Sequence, residues 1–93
     1  MLRFEIGDLV VTIGIDDKMV ASEEFTEAVG KSLARFMKCN WGVIAEEDVE
    51  QNERAVRDGD MMIMGAYDTL EGRIWIITDA DHKHTTVLWP DEY

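Results

Sequence analysis

Residues 61–89, MMIMGAYDTLEGRIWIITDADHKHTTVLW, hold the pattern that decides the fold. Three short apolar runs, 61–67, 73–78 and 85–89, are separated by DTLEG and DADHKH. Runs this short, rich in Ile, Thr and aromatic residues and bounded by Gly and Asp, read as strands. Connections this brief join neighbours that run antiparallel, because a parallel pair needs a long crossover. Residues Ile74 to Ile77 are apolar without a break, which predicts a central strand covered on both faces, or with one face against helices and one in an interface. Pro90 lacks a backbone donor and closes the last strand.

The upstream segments supply the rest. In LVVTIGI, Leu9, Val11, Ile13 and Ile15 alternate with Val10, Thr12 and Gly14, so a strand is expected over 9–15, ended by the polar DDK. SEEFTEAVGKSLARFMKCN then changes period. Phe25, Ala28, Val29, Leu33, Phe36 and Met37 follow the three-four spacing of an amphipathic helix, with Ser22 as N-cap. Its acids Glu23, Glu24 and Glu27 stand at the start and its bases Lys31, Arg35 and Lys38 toward the end, as the helix dipole favours. Asn40 and Gly42 supply a stop. AEEDVEQNERAVRDG reads as a second, shorter helix with Glu46, Glu47 and Asp48 in its first turn and Gly59 as C-cap. Its thin apolar stripe (Val49, Ala55, Val56) places it on the surface. The order is β-α-α-β-β-β over a single domain, residues 1–93. Strands segregated from helices give an α+β class: an antiparallel sheet with a C-terminal meander, packed against one long helix and one short surface helix.

Bulk properties narrow the function classes. Twenty acidic residues face nine basic ones, for a net charge of −11. That opposes direct binding to nucleic acid, whose affinity comes from Lys and Arg displacing counterions, and to anionic membranes. It permits basic protein partners, including the basic grooves of nucleic-acid enzymes, and its plain reading is solubility. Cys39 is the single cysteine and forms no internal disulfide, and MLRFEIGD does not read as a signal sequence, so a cytoplasmic protein is expected. A chain of this length buries roughly 60–65% of its unfolded surface, so oligomerisation, such as a homodimer, would add stability.

The chemically richest stretch is the turn between the last two strands. Asp79, Asp81, His82 and His84 are ligand types suited to a divalent metal, and they are the weak candidates for such a site. A tight site needs ligands that converge on a rigid frame, which adjacent residues at a hairpin tip seldom provide. The hydroxyls and the thiol of Cys39 stand in no nucleophile-elbow or papain-like context, and no glycine-rich phosphate loop occurs. A solvated turn is therefore expected at 79–84, with no cofactor and no enzymatic activity. Trp41, Trp75 and Trp89 are core candidates, and any that is exposed becomes an interface anchor.

The span CNWGVIAEEDVEQNERAV…GD…AYDTLEGRIWIITDADHKHTTVLWPDEY, from about Trp41 to Tyr93, resembles a family of short bacterial proteins encoded on plasmids, phages and integrative elements. Its most specific pieces are Trp41-Gly42, the Glu47-Asp48…Asn52…Ala55 spacing, IWIIT and the ending TT-V-L-W-P-D-E-Y. Members are labelled plasmid-related, and sometimes type I restriction-modification subunit M. The resemblance implies a mobile-element accessory protein. It does not imply methyl transfer, because 93 residues leave no room for a cofactor-binding sheet and no Asn/Asp-Pro-Pro-Tyr/Phe motif is present. The family commonly has Asp-Arg-Ser where this chain has Asp81-His82-Lys83, which argues further against histidine chemistry there. The expectation is a non-enzymatic binding protein, sharpest as a counter-defence inhibitor that occupies a basic nucleic-acid groove. Its candidate partner-binding residues are Glu46, Glu47, Asp48, Asp79, Asp81 and Trp89. The alternatives are a homodimeric scaffold or regulatory domain and, less favoured, a metal-dependent hydrolase using the 79–84 turn.

Overall fold

The computed structural model describes residues 3–93. The chain forms β1 (Asp8–Val11), α1 (Ile13–Ala21), α2 (Glu23–Met37), α3 (Glu46–Asp58), β2 (Ile63–Thr69), β3 (Gly72–Thr78) and β4 (His84–Leu88), followed by a 3-10 turn at Pro90–Glu92. The four strands make one sheet in the order β1-β4-β3-β2. The class is α+β, and the C-terminal meander is antiparallel throughout.

Two expectations need correction. The strand read over 9–15 ends at Val11, and Ile13 begins a helix that the sequence pattern hid. The switch is made by Thr12, whose hydroxyl accepts the Ile15 amide at 3.3 Å while its carbonyl accepts the Asp16 amide at 2.9 Å. Asp16 and Asp17, read as a strand stop, instead lie within this helix, with Asp16 in the first turn, where the dipole favours it. Ile13 and Ile15 share a face only in a strand. In the helix Ile15 is buried and Ile13 is 81% exposed. The sheet is also mixed rather than wholly antiparallel, because β1 runs parallel to β4. Asp8 donates to the Lys83 carbonyl at 2.8 Å and Thr12 to that of Val87 at 3.1 Å, and three helices provide the crossover a parallel pair requires.

The helices pack on one sheet face. Register places Ile63, Tyr67, Ile74, Ile76 and Val87 together on that face, where they meet Ile15 of α1, Phe25, Val29 and Phe36 of α2 and Ala55 of α3. Phe36 meets Trp41 and Phe4 edge-on, with centroids 5.5 Å from each. Ser22 caps α2 as read, accepting the Phe25 amide at 3.1 Å. Gly59 closes α3 with the left-handed φ of 76° expected of a C-cap. Two polar groups are buried in the core and satisfied in series: the Thr78 and Thr85 hydroxyls lie 2.7 Å apart, and Thr85 donates to the Ile6 carbonyl at 2.6 Å.

The opposite sheet face carries Trp75, Ile77, Thr86 and Leu88 and has no helix on it. Ile77 and Leu88 are nonetheless buried, and Trp75 is half-covered by an edge-on contact with Tyr93 at 5.6 Å. The 3-10 turn carries the chain round to that face. It is pinned by Glu92, whose Oε1 accepts from the Thr12 hydroxyl at 2.7 Å and the Trp89 amide at 2.8 Å. These two bonds hold the Glu92 carboxyl below its ordinary pKa, the Trp89 amide contributing most.

The β2 edge of the sheet is closed. In an antiparallel ladder alternate residues point their amides and carbonyls outward, and here those of Met64 and Ala66 do so. Asn52 of α3 satisfies Met64 in both directions: its Nδ2 donates to the Met64 carbonyl at 2.7 Å, and its Oδ1 accepts the Met64 amide at 3.1 Å. Ala66 is paired by the segment before α3, donating to the Trp41 carbonyl at 3.0 Å and accepting from the Val43 amide at 2.8 Å. Between those two residues Gly42 has φ of 77°, and a Cβ there would collide with the Ala66 carbonyl oxygen. Only glycine allows the chain this close.

Candidate partner-binding surface

The six candidate residues fall in three places. Glu46, Glu47 and Asp48 form the exposed first turn of α3. No side chain caps this helix, whose N-cap position is Ala45, so the three carboxylates are the groups that complement its dipole. Asp48 also borders a recess of about 100 Å³ shared with Ile44, Gln51, Asn52, Met62 and Met64.

Asp79 and Asp81 lie beyond the other end of α3, on the β3–β4 connection. That connection is a hydrogen-bonded turn, with Asp79 donating to the His84 carbonyl at 3.0 Å and His82 to that of Asp79 at 2.8 Å. Each polar side chain in it has a local task. Asp81 accepts the Lys83 amide at 3.0 Å. His82 sits at φ of 58°, with its Nε2 3.1 Å from the Met61 carbonyl and its ring against Phe4. His84 Nδ1 approaches Asp79 Oδ2 at 3.6 Å, both groups about half exposed. The four residues do not converge: no group of three or more His, Cys, Asp or Glu among the described residues is arranged to hold a metal ion.

Trp89 is at the far end of β4 from this turn. It is half-buried rather than free, stacked on Phe25 with centroids 5.4 Å apart and planes 23° apart. The remaining part of its surface lines an open cleft of about 450 Å³ with Glu71, Pro90 and Asp91. The candidate residues thus do not form one patch, but Trp89 gains two acidic neighbours that the sequence reading left scattered among the turns. The meander explains their arrival. Trp75 pairs with Leu88, so the same antiparallel register carries the β2–β3 turn across to the residues that follow β4. Counting that register from the three apolar runs was the available signal. Leu70, 88% exposed, and Glu24 border a second small recess on the same side, also with Glu71. Glu71 is partly neutralised by Lys18, whose Nζ is 3.1 Å away.

The electrostatics are lopsided across the whole surface. Nineteen of the twenty carboxylates are exposed, and Glu53 alone is half-buried, where it accepts the Trp41 indole N–H at 3.2 Å. Among the described residues five carboxylates sit in ion pairs, with Arg3, Lys18, Arg57, Arg73 and His84. The other fifteen have no cationic partner among the described residues. Burial pushes the Tyr67 phenol well above its ordinary pKa, and it donates to the Asn40 carbonyl at 2.7 Å beneath Arg35, which makes it a structural group. Burial likewise raises the Cys39 thiol, which keeps it protonated and unreactive at neutral pH. Among the described residues no helix is long and apolar enough to cross a membrane.

No known protein family, curated protein or solved structure matches this chain.

Proposed function

We propose that this protein is a mobile-element accessory protein that acts without catalysis, by binding a basic protein surface. In its sharpest form it occupies the nucleic-acid groove of a host defence complex. The observation that carries the reading is the charge display: a small domain with fifteen exposed carboxylates that no cation among the described residues pairs. Self-repulsion of this size costs stability, and a basic groove would relieve it. Carboxylates on a rigid frame can stand in for phosphates, with Glu46, Glu47 and Asp48 held in one helical turn as the densest group. The resemblance of residues 41–93 to plasmid- and phage-borne proteins supplies the biological setting.

The test is competition. Added to a purified host restriction or CRISPR complex, the protein should displace bound DNA, with an apparent affinity that falls steeply as salt rises. The triple reversal E46K/E47K/D48K should weaken displacement while leaving the fold intact. Displacement that ignores both salt and the triple reversal would sink the reading.

A further inference from the structure

We propose that the outer edge of β1 accepts an extended, basic segment of a partner protein as a fifth strand of the sheet. This deepens the reading of the chain as an acidic binding protein and rests on it, naming how a partner segment is held.

The two sheet edges differ in a way that burial alone does not explain. At β2 every outward backbone group of Met64 and Ala66 is satisfied by Asn52, Trp41 or Val43. At β1 the parallel ladder uses Asp8 and Thr12 toward β4, so the alternate residues Leu9 and Val11 turn their amides and carbonyls outward. Among the described residues no side chain or loop bonds to those four groups. Natural sheets normally blunt such an edge with lysine, proline or a bulge. This edge is short and begins at Asp8, but it carries no lysine, proline or bulge. Its side chains are apolar and uncovered: Leu9 is 50% exposed, Val10 42%, and Ile13 just beyond it 81%.

Charge selects the occupant. Residues 4–17 contain Glu5, Asp8, Asp16 and Asp17 and no Lys or Arg, and Glu92 is bonded to Thr12 at the end of the strand. Arg3 and Lys18 border this stretch, and Lys83 adjoins it through its carbonyl, which accepts the Asp8 amide. A second copy paired along this edge would bring two such acidic stretches together. A segment alternating Lys or Arg with β-branched residues would instead place its apolar side chains beside Leu9 and Val11, which share one face, and its cations on the other face, beside Asp8. Backbone bonds would provide the affinity, and alternate side chains the choice of partner.

The probe is a capped synthetic peptide alternating valine and lysine, with an alternating valine–glutamate peptide as control. Titration followed by amide NMR should shift and protect Leu9 and Val11 with the lysine peptide only, and affinity should fall about tenfold or more between low and high salt. The variant L9K/V10K should weaken binding by at least about tenfold, while Met64 and Ala66 keep their protection, which shows the fold is intact. V11P removes one outward donor without touching the β4 ladder and serves as an independent check. Perturbations centred on the first turn of α3, equal binding of the glutamate peptide, or undiminished binding by L9K/V10K would each overturn the proposal. So would protection of Leu9 and Val11 that rises with protein concentration in the absence of peptide, since that outcome makes a second copy the occupant. E46K/E47K/D48K should leave peptide binding unchanged, so DNA displacement and strand addition can fail separately.

Discussion

The two edges of this sheet make an instructive pair. β2 is seven residues long, lies against a helix and a crossing segment, and has the outward backbone groups of Met64 and Ala66 satisfied by one asparagine and two carbonyl-amide pairs. β1 is four residues long, and its outer groups face solvent beside Leu9 and Val10. Closing an edge ties it to the stability of the domain, and leaving one open separates it from that stability. Substitutions at the β2 edge should therefore be felt in folding, and substitutions at the β1 edge in binding.

The largest effect is expected at Gly42. G42V must avoid the Ala66 carbonyl and abandon φ of 77°, so thermal or denaturant unfolding should show a loss of about 3 kcal/mol or more. N52A comes next. It removes two hydrogen bonds and leaves the Met64 amide and carbonyl without partners, at a cost of about 2–3 kcal/mol, and Met64 amide exchange should accelerate. If N52A costs nothing measurable, the β2 edge is not closed in the sense argued here. T85V should cost about 1–2 kcal/mol, because Thr78 and the Ile6 carbonyl lose a buried partner.

The smallest effects belong to the other edge. L9K/V10K should change unfolding free energy by no more than about 0.5 kcal/mol, as for other exposed positions. Glu92 gives the edge region a pH signature. Its folded pKa lies below the unfolded one, so its contribution is fully present above the ordinary carboxylate range. That contribution disappears as pH falls through the depressed folded value. The Tyr93–Trp75 contact should loosen over that window, seen as a change in Trp75 fluorescence, and E92Q should remove the dependence.

The meander and the two longer helices were legible because their signals are local. Apolar runs, Gly-containing turns, Ser22 and Gly59 each fix a boundary through chemistry within a few residues. α1 was not legible, because IGIDDKMVA alternates like a strand for three residues and puts only Ile15 in the core. Thr12 decides the outcome, and a lone threonine in a β-branched run also suits a strand. The edge role of Asn52 was hidden for a different reason. Its partner Met64 is twelve residues away, and nothing local marks an asparagine in a polar helix as a backbone mimic. For the candidate surface, the sequence named Trp89 but not its neighbours: Asp91 follows it locally in the 3-10 turn, and Glu71 arrives through the register of β3 against β4. The 79–84 segment forms a hydrogen-bonded turn in which Asp81 accepts the Lys83 amide, while His82 reaches out of the turn to the Met61 carbonyl.

The most direct test of the contrast is residue-resolved amide hydrogen exchange on the free protein, repeated with the valine–lysine peptide. The account predicts slow exchange at Met64 and Ala66 throughout, and fast exchange at Leu9 and Val11 that slows when the peptide is added. Equal protection at both edges in the free protein, independent of concentration, would contradict it.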